Sequence, residues 1–455
     1  PPRPMRVAFV VPRYGPAIIG GAETAARVLA EHLVAQKGWE VDVLTSCAED
    51  FVTWSDTYPE GVEVINGVRV SRFASAAGRD PSFHPVSASL LADPEHASLE
   101  DAERWVDLQG PVTPAVADAA VHSEADVLVF YPYLYYPTVR VIDQVSVPTI
   151  LHPAAHDEPA LRLPVFPRVF EAADGLVFQT VAERDLVQRM FPVATHHQLL
   201  LGLGVDDPDL RPGDGGAGTD PGGPRTPSGS EVPYLVCLGR VDRHKGTSML
   251  ATLFSCYKER HPGPLRLVFA GPVVEPPEAH PDIEVLGPVS DDEKWALLDR
   301  AVALVSPSPW EAFSLVVAES WSARTPVVVN AACGATVEHC RRSGGGLTFA
   351  GFGEFEVAVD LLSGDRRMAR DLGARGRAYV DRRFRWPLVV DRYAAFVESV
   401  AATAGSSEAS AEGAGAGRLH HPDAEDGHTR EDLPHPIPAD ELRGGDRQGV
   451  SEGRQ

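Results

Sequence analysis

The feature that most constrains this chain is an alternation of short β-branched, apolar runs with longer segments of helical period, running through two series separated by one break. In the first series, residues 5–11, 40–46, 68–73, 126–131, 148–152 and 175–180 read as strands. In the second, the strand-like runs are 233–238, 265–270, 283–286, 301–306, 326–330 and 347–349. Strands that alternate with helices require parallel sheets with crossover helices, so the expected fold class is α/β with two Rossmann-like domains. Between the series, residues 206–230 turn to Gly, Pro, Asp and Ser with almost nothing to bury, the mark of a linker or surface loop. Residues 23–37 carry Ala26, Leu29, Ala30, Leu33 and Val34 at helical spacing and stop before Gly38. Residues 385–400 place Trp386, Val389, Val390, Tyr393, Phe396, Val397 and Val400 on one stripe, which needs a surface to lie on. From 401 to 455 aliphatic residues are too few to offset the entropy of ordering, and a disordered acidic tail is expected. The expected organisation is thus 5–205, a linker 206–230, 231–384, a helix 385–400 and a tail 401–455.

At 455 residues the chain exceeds the ~250–300 at which one hydrophobic core stops growing. Two packed domains leave room for a cleft. No apolar run approaches the ~18 residues needed to span a bilayer. A net charge of −23 argues against a nucleic-acid partner, so any phosphate site must be local. Lysine occurs at only four positions, Lys37, Lys245, Lys258 and Lys294, so a lysine inside a motif carries weight. The five cysteines include no C-x-x-C pair and read as reduced thiols, and the apolar stretch 7–11 is too short for the core of a secretory signal. Cytoplasm is the expected location.

The strongest constellation lies in the second half. Gly239-Arg240 ends a strand, Lys245-Gly246 follows five residues later, and then come Glu311-Ala312-Phe313-Ser314 and Glu319. Arg240 and Lys245 stand at the carboxyl end of the first strand of the second sheet, where open α/β sheets place their ligands, and together they can grip a diphosphate. A helix opening at Phe313, Ser314 and Leu315 offers free backbone N–H groups to a phosphate. Eight helical steps from Glu311 to Glu319 advance ~12 Å, beyond the ~5–9.5 Å between the carboxylates of a glycosidase pair. The two glutamates therefore serve separate ends of a long ligand.

In the first half, Gly20-Gly21 between the first strand and its helix lets backbone approach a ligand closely, although no G-x-G-x-x-G follows the strand and a dinucleotide cofactor is disfavoured. After another strand come His152 and His156, which can donate to a sugar hydroxyl. Pro153 breaks their helical pairing and no third ligand stands near, so no metal is expected. Asp207-Pro208-Asp209, in the linker, reads as turn chemistry.

Over residues 5–400 these motifs resemble glycosyltransferase family 4, retaining enzymes of GT-B fold. E-x7-E is met by Glu311 and Glu319, and the G-R…K-G element by Gly239, Arg240, Lys245 and Gly246. The resemblance implies two Rossmann-like domains facing across a deep cleft, with a final helix from 385 crossing back to the N-terminal domain. It implies an N-terminal acceptor domain and a C-terminal donor domain. Arg240 and Lys245 would bind the donor diphosphate, Glu311 the sugar hydroxyls, Glu319 the ribose, and backbone at Phe313, Ser314 and Leu315 the distal phosphate. Gly20 and Gly21 would form the loop at the diphosphate and acceptor, His156 would contact the sugar, with His152 second, and Val289 would contact the base.

The chain departs from the family at Ala312, Ser314 and Arg324, where glycine or small residues are common. The expected activity is metal-independent transfer of a hexose from a nucleotide diphosphate sugar, with no bound cofactor, to a carbohydrate, lipid-linked or small-molecule acceptor. A lipid-linked acceptor would bring peripheral contact with the inner face of the membrane, for which residues 23–37 supply no basic anchor. Two other readings remain open: an epimerase or phosphorylase of the same fold, and a non-catalytic sugar-nucleotide-binding protein.

Overall fold

A computed structural model describes residues 3–18, 20–194, 196–208 and 232–413. The first half builds one eight-stranded sheet from β1 (Arg6–Val10), β2 (Glu40–Ser46), β3 (Gly61–Ile65), β4 (Val68–Phe73), β5 (Val127–Phe130), β6 (Thr149–Leu151), β7 (Gly175–Phe178) and β8 (His197–Leu200). Their spatial order is β3-β4-β2-β1-β5-β6-β7-β8, parallel throughout except for the β3–β4 hairpin. Two of these strands lie outside the sequence-derived set. β3 is announced only by Asn66-Gly67, whose positive φ values of 50° and 84° suit a two-residue hairpin turn. β8 reads His-Gln-Leu-Leu, with no β-branched residue to mark it.

Helices on this half include α1 (Gly21–Lys37), α2 (Phe83–Leu90), α3 (Leu99–Gln109), α4 (Pro114–Val121), α5 (Tyr136–Val139), α6 (Phe166–Glu171) and α7 (Val181–Met190). α1 buries Ala25, Ala26, Leu29, Ala30 and Leu33 and stops at Gly38, whose φ of 65° suits the left-handed cap.

The second half forms a six-stranded parallel sheet from β9 (Tyr234–Leu238), β10 (Arg266–Ala270), β11 (Ile283–Gly287), β12 (Ala303–Ser306), β13 (Val327–Asn330) and β14 (Gly346–Phe349), in the order β11-β10-β9-β12-β13-β14. All six strands match sequence expectation to within two residues at each end. The intervening helices are α8 (Thr247–Arg260), α9 (Asp291–Arg300), α10 (Leu315–Ser322), α11 (Gly334–Ser343), α12 (Phe352–Gly364) and α13 (Arg366–Arg383). β1 stands between β2 and β5, and β9 between β10 and β12. In each sheet the chain reverses direction of winding there, which opens a crevice beyond the strand's carboxyl end.

The last helix, α14 (Trp386–Gly413), lies against the first half. Val389, Val390, Tyr393, Val397 and Val400 are buried, as the stripe requires. Lys37 pairs with Asp391 at 2.6 Å, His32 stacks on Trp386 with centroids 4.2 Å apart, and Tyr393 Oη meets His152 Nε2 at 3.1 Å. The helix expected over 385–400 therefore runs further, and the acidic tail expected from 401 begins inside it. The remainder of that tail, and all but residues 206–208 of the expected linker, lie outside the described residues. The described residues up to 407 form one compact unit.

The chain crosses between the halves twice, and the crossings pack on each other. A Cβ on Gly204 would lie 2.3 Å from the Trp386 ring, and one on Gly202 would lie 2.4 Å from Phe384. Asp207, which the sequence suggested was only part of a turn, pairs with Arg377 at 2.8 Å and stands 3.9 Å from Arg385. One apolar core runs through both halves, from Phe9, Val43 and Val129 to Val236, Trp321 and Val390. Two sheets that would be separate domains by topology are thus joined by shared burial.

Candidate active site

The loop leaving β9 is built for close approach. Gly239 takes φ 117° and Gly246 φ 76°, and a Cβ on Gly246 would sit 2.6 Å from the Pro307 carbonyl oxygen. Glycine there lets residues 239–246 press against the loop from β12 to α10. Within the turn, the Asp242 carboxylate accepts from the backbone N–H groups of His244 (2.6 Å) and Lys245 (3.1 Å) and pairs with the Arg240 guanidinium. Burial raises the Asp242 carboxyl, but Arg240 and these N–H groups outweigh it and hold the group below its ordinary range. Lys245 Nζ reaches Glu311 Oε1 at 2.7 Å. Arg240, Lys245 and Glu311 therefore stand at one strand-end crevice.

Glu311 lies outside any helix, so the helical spacing used to separate it from Glu319 does not apply. α10 begins at Leu315, with Ser314 as its N-cap and no side chain capping its first N–H groups. Ser314 takes φ 71° and Arg324 φ 62°, left-handed values that favour glycine. These are two of the positions where the sequence departs from the family's small residues. The Phe313 side chain is core, edge-on to His339 and Phe384.

Glu319 projects from α10 and receives Lys294 of α9 at 2.7 Å. Burial pulls the Lys294 ammonium down, yet Glu319 and Asp291 outweigh it and leave the group above its ordinary value. Lys294 was one of four lysines noted in the sequence, but nothing local tied it to Glu319. Val289, just before α9, packs partly buried against the core.

Across the crevice, Gly20 caps α1 in extended conformation, and the Glu23 carboxylate packs so closely that a Cβ on Gly20 would meet it at 2.3 Å. Glu23 accepts from the buried Arg13 guanidinium, with Nε at 3.0 Å. A Cβ on Gly21 would meet nothing. Arg13 and Arg240, one from each half, both lie over the ring of Phe51, at 5.5 and 5.1 Å from its centroid. This aromatic bridge links the Gly20-Gly21 turn to the Arg240 loop, and no sequence motif announced it.

The two histidines part company. His152 is buried, stacked on Tyr131 with centroids 4.2 Å apart and bonded to Tyr393. Burial pushes its imidazole down to about 3. Its place is beneath α14, in the core. An unfolded His152 takes a proton below about pH 6.5 that the folded one refuses until about pH 3, so its contribution to stability is present above 6.5 and lost as pH falls through that window. The unfolding free energy of the wild type should therefore fall more steeply between pH 6.5 and 4 than that of His152→Gln. Parallel profiles in a urea titration would contradict this.

His156 instead faces the second half. It lies edge-on to Trp310 with centroids 5.9 Å apart, and its Nε2 stands 3.7 Å from Glu158. Together with Thr180, Trp310, Glu311 and Gly334 it lines a cavity of about 440 Å³ between the halves. Glu183, buried in the first turn of α7, holds the histidine's loop by accepting the Ala155 N–H at 2.8 Å and the Gln179 N–H at 2.7 Å. Burial pushes this carboxyl up to about 8 against the pull of those N–H groups. The far wall is closed where Glu338 accepts the Ala182 N–H (2.9 Å) and the Ala312 carbonyl accepts the Thr180 hydroxyl (3.1 Å).

Among the described residues no group of three or more His, Cys, Asp or Glu side chains could hold a metal ion, all five cysteines are free, and no helix is long and apolar enough to cross a membrane.

Comparison with known proteins agrees with this fold. Residues 232–359 match the family model Glycosyl transferases group 1. Glycogen synthase of Mycobacterium tuberculosis (strain CDC 1551 / Oshkosh) is 26% identical over 344 residues, covering 72% of this chain and 78% of its own. Sucrose-phosphate synthase from Thermosynechococcus elongatus superposes with a TM-score of 0.60 at 19% identity, covering 90% of this chain and all of its own. An E. coli trehalose-6-phosphate protein bound with UDP-2-fluoro glucose gives 0.62 at 13% identity, covering 87% and 99%. Anabaena HepE in complex with UDP and glucose gives 0.59 at 15% identity, covering 87% and 100%. The chain therefore has the GT-B fold, and its residues 232–359 match the glycosyl transferases group 1 model.

Proposed function

We propose that this protein is a retaining hexosyltransferase that uses a nucleotide diphosphate sugar, with UDP as the nucleotide, and needs neither metal nor bound cofactor. The observation that carries the reading is the placement of Arg240, Lys245 and Glu311 beside the uncapped start of α10, with His156 across the same cleft. UDP is chosen because two of the similar solved structures hold UDP or a UDP-sugar.

In this reading Arg240 and Lys245 bind the diphosphate, Ser314 and Leu315 present backbone to its distal phosphate, and Glu319, positioned by Lys294, holds the ribose. Val289 lies beside the base. Once a diphosphate draws Lys245 towards itself, Glu311 is released to accept from sugar hydroxyls, and His156 meets the sugar from the opposite wall. The bond from C1 to the acceptor oxygen forms on the face from which the diphosphate departs. The acceptor proton passes to a leaving phosphate oxygen, whose growing charge Arg240, Lys245 and the helix N–H groups stabilise. No protein nucleophile is used.

A thermal-shift panel of UDP-, GDP- and ADP-glucose tests the donor. At 100 times its Kd a ligand adds about 2.7 kcal/mol to folding, so the UDP sugar should raise Tm most. Proton NMR of the product should then show the donor's anomeric configuration, with turnover unchanged by EDTA. An inverted product would end the retaining assignment, and a strong EDTA loss would end the metal-free one.

A further inference from the structure

The cavity between the halves extends past His156 and Glu311 along one face of α7, where Ala182, Leu186 and Arg189 follow at helical spacing. Its charged lining is balanced everywhere but at one point. Glu311 is held by Lys245 and Asp157 by Arg162, while Glu183 accepts backbone N–H groups. Arg189, exposed at the end of α7, makes no ion pair or hydrogen bond among the described residues although it lines the same space. A guanidinium left open in a cleft, in a chain with a net charge of −23, is a local attractor for an anion. Trp310, on the opposite wall, is 40% exposed, which is unusual for so large an apolar ring. Its backbone is fixed by Ser308 Oγ, which accepts from Trp310 N at 3.3 Å and donates to Trp310 O at 3.0 Å. A fixed aromatic face of this kind suits the C–H face of a pyranose.

We infer that this cavity takes a sugar ring bearing an anionic substituent, a carboxylate or a phosphate, with the ring over Trp310 and the anion on Arg189. The inference rests on the transferase reading above and narrows its substrate class. The anion can enter by two routes, on the donor sugar as a uronate or on the acceptor as a sugar phosphate. Either way it lies along α7, away from the reacting carbon between Glu311 and His156.

Isothermal titration of the full chain separates these routes. In the donor arm UDP-glucuronate is compared with UDP-glucose; in the acceptor arm glucose 6-phosphate is compared with glucose at saturating UDP. In one arm the charged sugar should bind at least about tenfold more tightly than its neutral counterpart, the scale of one charge-assisted hydrogen bond. Arg189→Gln should remove that preference and Arg189→Glu reverse it, with UDP affinity within about twofold of wild type. Because the Arg189 side chain is exposed and makes no ion pair among the described residues, neither change should disturb folding. The inference is overturned if neither charged sugar is preferred, or if Arg189→Gln leaves the preference intact. Failure of UDP itself to bind would instead overturn the transferase reading.

Discussion

Replacing Lys245 by alanine is expected to lower turnover by about 10²–10³-fold, the loss seen when one fixed donor to a developing oxyanion is removed. Lys245 is 37% exposed in its side chain and contributes no apolar core, so the variant should fold with unchanged circular dichroism and near-wild-type Tm. On the proposed reading two effects combine in the loss: the leaving diphosphate would have one cation fewer, and Glu311 loses its Lys245 partner. Initial rates with a UDP sugar at saturating donor, for wild type and variant, provide the measurement. Turnover within about threefold of wild type would show that the crevice beyond β9 is not where the diphosphate leaves, and the assignment of Arg240 would fall with it.

Tyr393→Ala is expected to give the largest loss of stability among single changes in α14, about 3–5 kcal/mol by analogy with other buried aromatic truncations. Tyr393 is fully buried, its ring lies 5.3 Å from that of His152, and its hydroxyl is the only protein partner described for the His152 Nε2. The alanine leaves both a cavity and an unpaired imidazole in the layer that seats the last helix on the first sheet. Urea unfolding followed by tryptophan fluorescence should show the midpoint falling with little change in slope. A loss below about 1 kcal/mol would mean that α14 is held chiefly by its surface contacts, such as Lys37 with Asp391.

Much of this architecture is legible in the residues because a parallel sheet buried on both faces needs continuous apolar runs, and those runs are local in sequence. All six strands of the second sheet were found this way. β3 and β8 were not, since β3 exposes Val62 and Val64 and β8 lacks β-branched residues, so neither reads as a buried strand. The apolar stripe of α14 stops at Val400, while its backbone hydrogen bonding continues to Gly413, so side-chain pattern alone does not mark the end of the helix.

The candidate site divides along the same line. Glycines at 239 and 246, Arg240, Lys245 and Glu311 are marked by spacing, since each sits in a segment just after a strand whose position the alternation fixes, and Glu319 follows on the helix that this segment opens. By contrast Lys294 behind Glu319, Phe51 between Arg13 and Arg240, and Glu183 beneath the His156 loop are partners more than ten residues from the groups they serve. Neither period nor motif can signal such pairings. The choice between His152 and His156 is of the same kind: both follow one strand, and only burial beneath Tyr393 or exposure towards Trp310 tells them apart. The sequence by itself determined the two alternating series, the break between them and the residue types at each strand end, because these depend on local periodicity and loop chemistry. Only the tertiary structure decided which charges meet across the crevice and which histidine reaches it, because contacts between distant segments depend on how the two sheets pack.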